Sequence, residues 1–348
     1  MSIEPITLSL LEASAKGFTA RHRVDFDRVE SSQDASLLRE LLGEVAQLGW
    51  LETLHDPEAH TNTDDDALLL ARIVYVLGGA SPAFAGRLLA HHYARACVNG
   101  YRATAGGGFQ SLDGVWYGLE VCVGDRTLGP TSHIDLATTE RPLKGIARSV
   151  IGGDLAPYWV TSARLNQGDR ALVLVDAAAT AEATAVPTLG LRGLGVTDAE
   201  LRELGAEHFV VLASGDDLET RIARADHFIA PGYLALIRSL VEQTQMLVTN
   251  HTDTRRQNGV LLREIPAVQE QLRNMRQAIA LAALAEHAWL DDGSSTREAI
   301  EMVRQVAQTA TDAGLQALGG AGYVVGHGVE RLWRDCLELG ALFLRDSW

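Results

Sequence analysis

The feature that most constrains this chain is a period. From about residue 216 to the end, apolar residues recur at helical spacing and do not stop. Ile265, Val268, Leu272, Met275, Ile279 and Ala282 follow a 3-4-3-4 rule, which is the seam of bundled helices. Residues 225–250 form a long apolar-rich segment before that seam. Ser295-Thr296-Arg297-Glu298 reads as a capping box opening a further helix. A last helix is expected over 329–343. Four long helices with short joins predict an antiparallel bundle over residues 216–348.

The rest of the chain has two other characters. Residues 1–112 read as helical. Leu37, Leu38, Leu41, Leu42, Val45 and Leu48 form one apolar face, closed by Gly49. The polar stretch 55–66 holds His55, Glu58, His60 and three aspartates, but no regular ligand spacing. Asp64, Asp65 and Asp66 fit a helix N-terminus better than a metal loop, and no metal site is expected. Adjacent His91 and His92 point about 100° apart on a helix; one buried and one solvated ring is the expectation. Residues 113–215 change to short β-rich runs at 116–123, 147–151, 158–161, 171–175 and 209–212, separated by turn residues. They suggest an antiparallel barrel or sandwich. A packed strand residue is the reading of Trp159, with a ligand-lining role as its alternative.

Composition narrows the function. The formal net charge is −15 over 348 residues, with three scattered cysteines and no apolar run long enough to span a bilayer. Nucleic acid would be repelled by that field. An odd, scattered cysteine set fits reduced thiols, and the N-terminus lacks the order of a signal peptide. A cytoplasmic protein handling small molecules or protein partners is the expectation.

The most unusual stretch is Gln316-Ala317-Leu318-Gly319-Gly320-Ala321-Gly322-Tyr323. Three glycines in four positions admit a close approach by something large and free N–H groups for an anion. A helix end followed by a turn would use glycine too. A dinucleotide fingerprint is not expected, because a helical pattern, and not a strand, precedes the glycines.

With its neighbours, this stretch resembles the acyl-CoA dehydrogenase family of flavoproteins. Residues 316–323 match that family's Gln-x-x-Gly-Gly-x-Gly-Tyr. Glu330, Arg331, Arg334 and Asp335 match its Glu-Arg-x-x-Arg-Asp. Thr254-Arg255-Arg256-Gln257-Asn258-Gly259 lies at the place of its Arg-x-x-Phe-Gly. Leu189-Gly190-Leu191-Arg192-Gly193 looks like its Gly-Leu-Arg-Gly turn, and Leu48-Gly49-Trp50-Leu51 like its helix end before a Pro-Glu loop. The resemblance spans the chain and is specific between about 250 and 335. It implies an N-terminal helical domain, a middle β domain and a C-terminal four-helix bundle. It also implies FAD lying between β domain and bundle, and α,β-desaturation of an acyl-CoA thioester. The neighbouring subunit's bundle would complete the FAD site. Carried over residue by residue, Arg255, Gln316, Gly319 and Gly320 are the candidate FAD contacts; Arg255 could instead cap its own helix. Arg331, Arg334 and Asp335 are expected to form pairs within the bundle that hold the glycine loop.

Four departures shape the functional expectation. One branch of the family draws its glutamate base from a Tyr-Glu-Gly-Thr element after the last helix; here that position is Phe343. The other branch places it about twenty-six residues before the arginine, which is Ile229; the nearest titratable groups are Asp226 and His227. The flavin-side Thr-Glu-x-x-x-Gly-Ser-Asp element has only a poor counterpart at 124–132. Asn258 replaces the phenylalanine, and Pro266 stands where a glutamine is expected. A carboxylate base is indispensable to α-proton abstraction, worth on the order of 10²–10⁴ in rate. The resemblance therefore implies a non-catalytic subunit of a heteromeric acyl-CoA dehydrogenase, a heterotetramer by analogy. This chain would complete the FAD site of a homologous catalytic partner, with a bulky steroid-type CoA ester as substrate class. One alternative is a flavin monooxygenase or oxidase of the same fold, a homo-oligomer with Asp226 or His227 as base. The other is a scaffold without flavin.

Overall fold

The structure is a computed structural model that describes residues 5–32, 34–51, 64–99, 115–120, 132–134, 142–165, 169–180, 182–292, 296–324 and 328–343. Helices fill the first part: α1 (Pro5–Arg21), α2 (Arg23–Ser32), α3 (Ala35–Gln47), α4 (Asp64–Gly78) and α5 (Pro82–Val98). Helix α3 begins because Asp34 accepts the Ser36 and Leu37 N–H groups at 3.1 Å each, satisfying donors that have no partner within the helix. It buries the predicted face of Leu37, Leu38, Leu41, Leu42 and Val45 and ends at Gly49 with φ +74°. The three aspartates of 64–66 do occupy the first turn of α4; His55, Glu58 and His60 lie outside the described residues. Helix α5 is buried almost all round, since α4, the sheet and the first bundle helix surround it.

That burial corrects the expectation for its histidines. Both His91 and His92 are fully buried. His92 Nε2 lies 3.0 Å from the Trp50 carbonyl, and His91 Nδ1 accepts the Tyr117 N–H at 3.1 Å. The helix has no solvated face for either ring to take.

The strands are β1 (Tyr117–Glu120), β2 (Ser132–Ile134), β3 (Leu143–Ile151), β4 (Tyr158–Leu165), β5 (Arg170–Asp176), β6 (Ala183–Ala185), β7 (Thr197–Leu204) and β8 (Phe209–Ser214). They pair in the order β6-β7-β3-β1-β4-β5-β8, with β2 between β3 and β4. Pairing is antiparallel except along one side of β4, where β1 and β2 run parallel to it. The sheet encloses its own small core of Leu143, Ala147, Val150, Trp159, Ala163, Ala171, Val173, Val175 and Phe209. Its other face sends Val160, Leu172 and Leu174 into the main core. Trp159 is thus a packed strand residue.

The C-terminal helices are α6 (Asp216–Thr254), α7 (Pro266–Asp292), α8 (Thr296–Leu318) and α9 (Gly328–Phe343). At 39 residues, α6 is about 58 Å long and serves two neighbourhoods. Gly232 lets its first half approach Leu70 of α4 and Leu89 of α5. In its second half, Thr244 and Val248 lie against Gly314 of α8 and Leu247 against Gly328. Val268, Leu272, Met275 and Ala282 of the predicted seam are buried, each large one worth about 1.5–3 kcal/mol relative to exposure. No described helix is long and apolar enough to cross a membrane.

Candidate flavin-facing bundle end and its anchoring turn

The candidate residues fall into two neighbourhoods built in opposite ways. The first is one end of the bundle. Helices α6 and α8 run in the same direction, and the Gly314 contacts place their C-termini at that end. Arg255 caps α6 in an extended conformation, its N–H bonded to the His251 carbonyl. Its side chain is exposed and makes no ion pair or hydrogen bond within the described chain, so the cap is made by backbone alone and not by the guanidinium. A hairpin follows, β9 (Arg256–Gln257) and β10 (Val260–Leu261). Its turn is Asn258-Gly259, with φ +51° and +83°, the two positive angles of a type I′ turn. Asn258 is therefore the residue that this turn favours.

Across the end, Gln316 is exposed and its amide oxygen accepts from Gln271 at 3.3 Å. Gly319 ends α8 with φ +56°, and the chain then winds through a tight 3-10 turn over Gly319–Tyr323. A Cβ on Gly319 or Gly320 would meet nothing within 4 Å, whereas one on Gly322 would strike the Leu315 carbonyl at 2.6 Å. Gly322 is required by packing, and Gly319 by backbone angle. Gly320 is open space beside an exposed Tyr323 (62%) and Val324 (59%). An unpaired guanidinium and bare backbone on one exposed surface fit an anionic group brought up from outside.

The second neighbourhood is buried. Arg334 forms a two-point pair with Glu330 (2.7 and 3.2 Å) and donates to the Leu189 carbonyl at 2.5 Å. Asp335 accepts the Leu191 N–H at 2.6 Å. Arg331 reaches Asp27 of α2 at 3.7 Å. The expectation of pairs confined to the bundle is thus corrected: only Arg334–Glu330 stays within α9. The others bind the 189–193 turn of the middle region and helix α2, and among the described residues none hydrogen-bonds or ion-pairs with the glycine loop. The turn needs this support. Leu191 has φ +45°, a costly angle for a side chain-bearing residue, and a Cβ on Gly190 would collide with the Arg334 carbonyl and the Asp335 nitrogen.

Burial pushes the Asp335 carboxyl up to about 7, helped by the nearby Glu30 and opposed by the Leu191 N–H, Arg331 and Arg334. Burial also raises Glu30, whose carboxylate accepts the Ser81 hydroxyl at 2.7 Å, and Glu338, which the N–H groups of Leu189 and Gly190 hold down. Glu30 and Glu338 were not legible as site residues, because neither sits in a motif.

The weak base candidates are not brought together. Ile229 is buried in the core of α6. Asp226, one turn earlier, accepts the Tyr93 hydroxyl at 2.9 Å; burial, then Asp226, raises that phenol. His227 turns to Asp64 of α4 at 3.1 Å. Another carboxylate escaped sequence reasoning: Glu120 of β1 is fully buried. It accepts the Arg148 and Ser162 N–H groups at 2.9 Å and the Thr161 hydroxyl. A charged residue inside an apolar strand was its only signal. The poor counterpart at 124–132 lies almost wholly outside the described residues.

Comparison with known proteins agrees with this anatomy. Residues 224–340 match the family profile of the acyl-CoA dehydrogenase C-terminal domain. Acyl-CoA dehydrogenase from Geobacillus kaustophilus superposes with a TM-score of 0.76 at 14% identity, over 97% of this chain and 94% of that one. Butyryl-CoA dehydrogenase from Megasphaera elsdenii gives 0.74 at 15%, over 98% and 94%. PigA, solved with FAD and proline, gives 0.71 at 14%, over 98% and 94%. No curated protein matches the chain in sequence.

Proposed function

We propose, for a chain whose residues 224–340 match the acyl-CoA dehydrogenase C-terminal domain and whose fold is that of these flavoproteins, that it is a subunit of a heteromeric FAD-dependent acyl-CoA dehydrogenase. It completes the FAD site of a homologous catalytic partner and supplies no base itself. The observation that carries this reading is a contrast. The bundle end with Arg255, Gln316, Gly319 and Gly320 is exposed and open, while the base position Ile229 is sealed in the core. Arg255 would neutralise part of the pyrophosphate, and Gly319 and Gly320 would let it approach the backbone. FAD supplies the acceptor for the β-hydrogen. The α-proton needs a carboxylate at the substrate, and that group belongs to the partner in this reading. A bulky steroid-type CoA thioester is the substrate class that the two-subunit arrangement implies by resemblance.

The test is flavin quantification per chain. Purified alone, the chain should hold well under one FAD; co-purified with its catalytic partner, the complex should hold FAD and desaturate an acyl-CoA. A stoichiometrically yellow homo-oligomer with dehydrogenase activity would overturn the proposal. A second reading rests on Asp226, a partly buried carboxylate one turn from Ile229. As the base of a flavin monooxygenase or oxidase it would make the homo-oligomer itself active, and Asp226→Asn would abolish that activity. A flavin-free scaffold predicts that Arg255→Ala leaves the complex's FAD content unchanged.

A further inference from the structure

The sequence singled out two motifs, Leu189-Gly190-Leu191-Arg192-Gly193 and Glu330-Arg331-x-x-Arg334-Asp335, and the structure joins them. We propose that α9 and α2 together form a proton-dependent latch on the 189–193 turn, closed when Asp335 is neutral and loosened when it ionises. This latch does not depend on the functional reading above.

The geometry is that of a gripped turn. The Leu189 carbonyl is held by Arg334 and the Leu191 N–H by Asp335. Gly193, in the same turn, packs on Val29 and Ala83, and its N–H faces Glu30. Three parts of the chain therefore meet at one point: α2, the turn between β6 and β7, and α9. Around Asp335 stand Glu30 from α2 and Arg331 and Arg334 from its own helix. Asp335 is 1% exposed, and its second oxygen, Oδ2, has no hydrogen-bond partner among the described residues. An ionised carboxylate with a bare buried oxygen is costly; a protonated one tolerates the position better.

The direction of the effect follows from linkage. Asp335 is held above its unfolded value of 3.8, to about 7. Its contribution is fully present below the unfolded value and is lost as pH rises through about 7. Ionisation then places two carboxylates, Glu30 and Asp335, in one buried site beside Leu191 at its strained angle. The turn is the element that gives way, because the strained Leu191 is held there by its N–H bond to Asp335.

The test is hydrogen exchange of the 189–193 amides in the full chain between pH 5.5 and 8.5, referred to the intrinsic rates. Protection at Leu191 should fall about tenfold or more across that window. Asp335→Asn keeps an acceptor for the Leu191 N–H and cannot ionise, so its protection should stay flat. Glu30→Gln removes the like charge and should move the fall to lower pH, which serves if the first variant does not fold. The proposal is overturned if wild-type protection shows no fall, if Asp335→Asn shows the same one, or if the Glu30→Gln midpoint does not move.

Discussion

The two halves of the C-terminal signature are used in opposite ways. Residues 316–324 leave a glutamine, two glycines, a tyrosine and a valine facing outward. Residues 330–338, one helix later, bury Glu330, Arg334 and Asp335 against a turn nearly 150 positions away in sequence. Both halves carry a motif. The difference is satisfaction. In the buried half nearly every charge has a partner within the chain, as burial demands. At the same exposed end of the bundle, Arg255 has none among the described residues, which is the state of a surface awaiting one.

Substitutions can break this contrast. Gly190→Ala should have the largest effect on stability, at about 3 kcal/mol or more, because the new methyl meets α9 backbone rather than a movable side chain. Thermal unfolding would register it as a lowered midpoint, and a change within error would show that turn and helix can separate freely. Asn258→Ala should cost about 1 kcal/mol, the strain of a positive φ in the hairpin turn without asparagine's tolerance for it. Arg255→Ala should change stability by no more than about 0.5 kcal/mol, as an exposed residue without partners. It should nevertheless lower the FAD content of the assembled complex; a stability loss as large as that of Asn258→Ala would make Arg255 structural.

Much of the architecture was legible. The seam at 265–282 announced its helix, and Gly49 its helix end. Strand β7 was not legible: Thr197–Leu204 is rich in Glu, Leu and Arg, which favour helix. It is a strand because Ala199 and Leu201 complete the sheet's small core opposite β3, and tertiary context overrides propensity. The parallel pairings of β4 leave no local trace. His92 could not be assigned a buried role from α5 alone, since the carbonyl it faces belongs to Trp50.

The sequence by itself determined the order of helices, strands and helices. It also determined the glycine-rich end of α8 and the absence of a carboxylate at 229. Those properties are local: period, backbone permissiveness and residue identity act within a few turns of chain. Only the tertiary structure decided that Arg255 stands open while Arg334 and Asp335 are consumed by the Leu189–Leu191 turn. Burial and partner choice depend on what the rest of the chain brings within about 3 Å, and arginines in neighbouring motifs carry no mark of which will be covered.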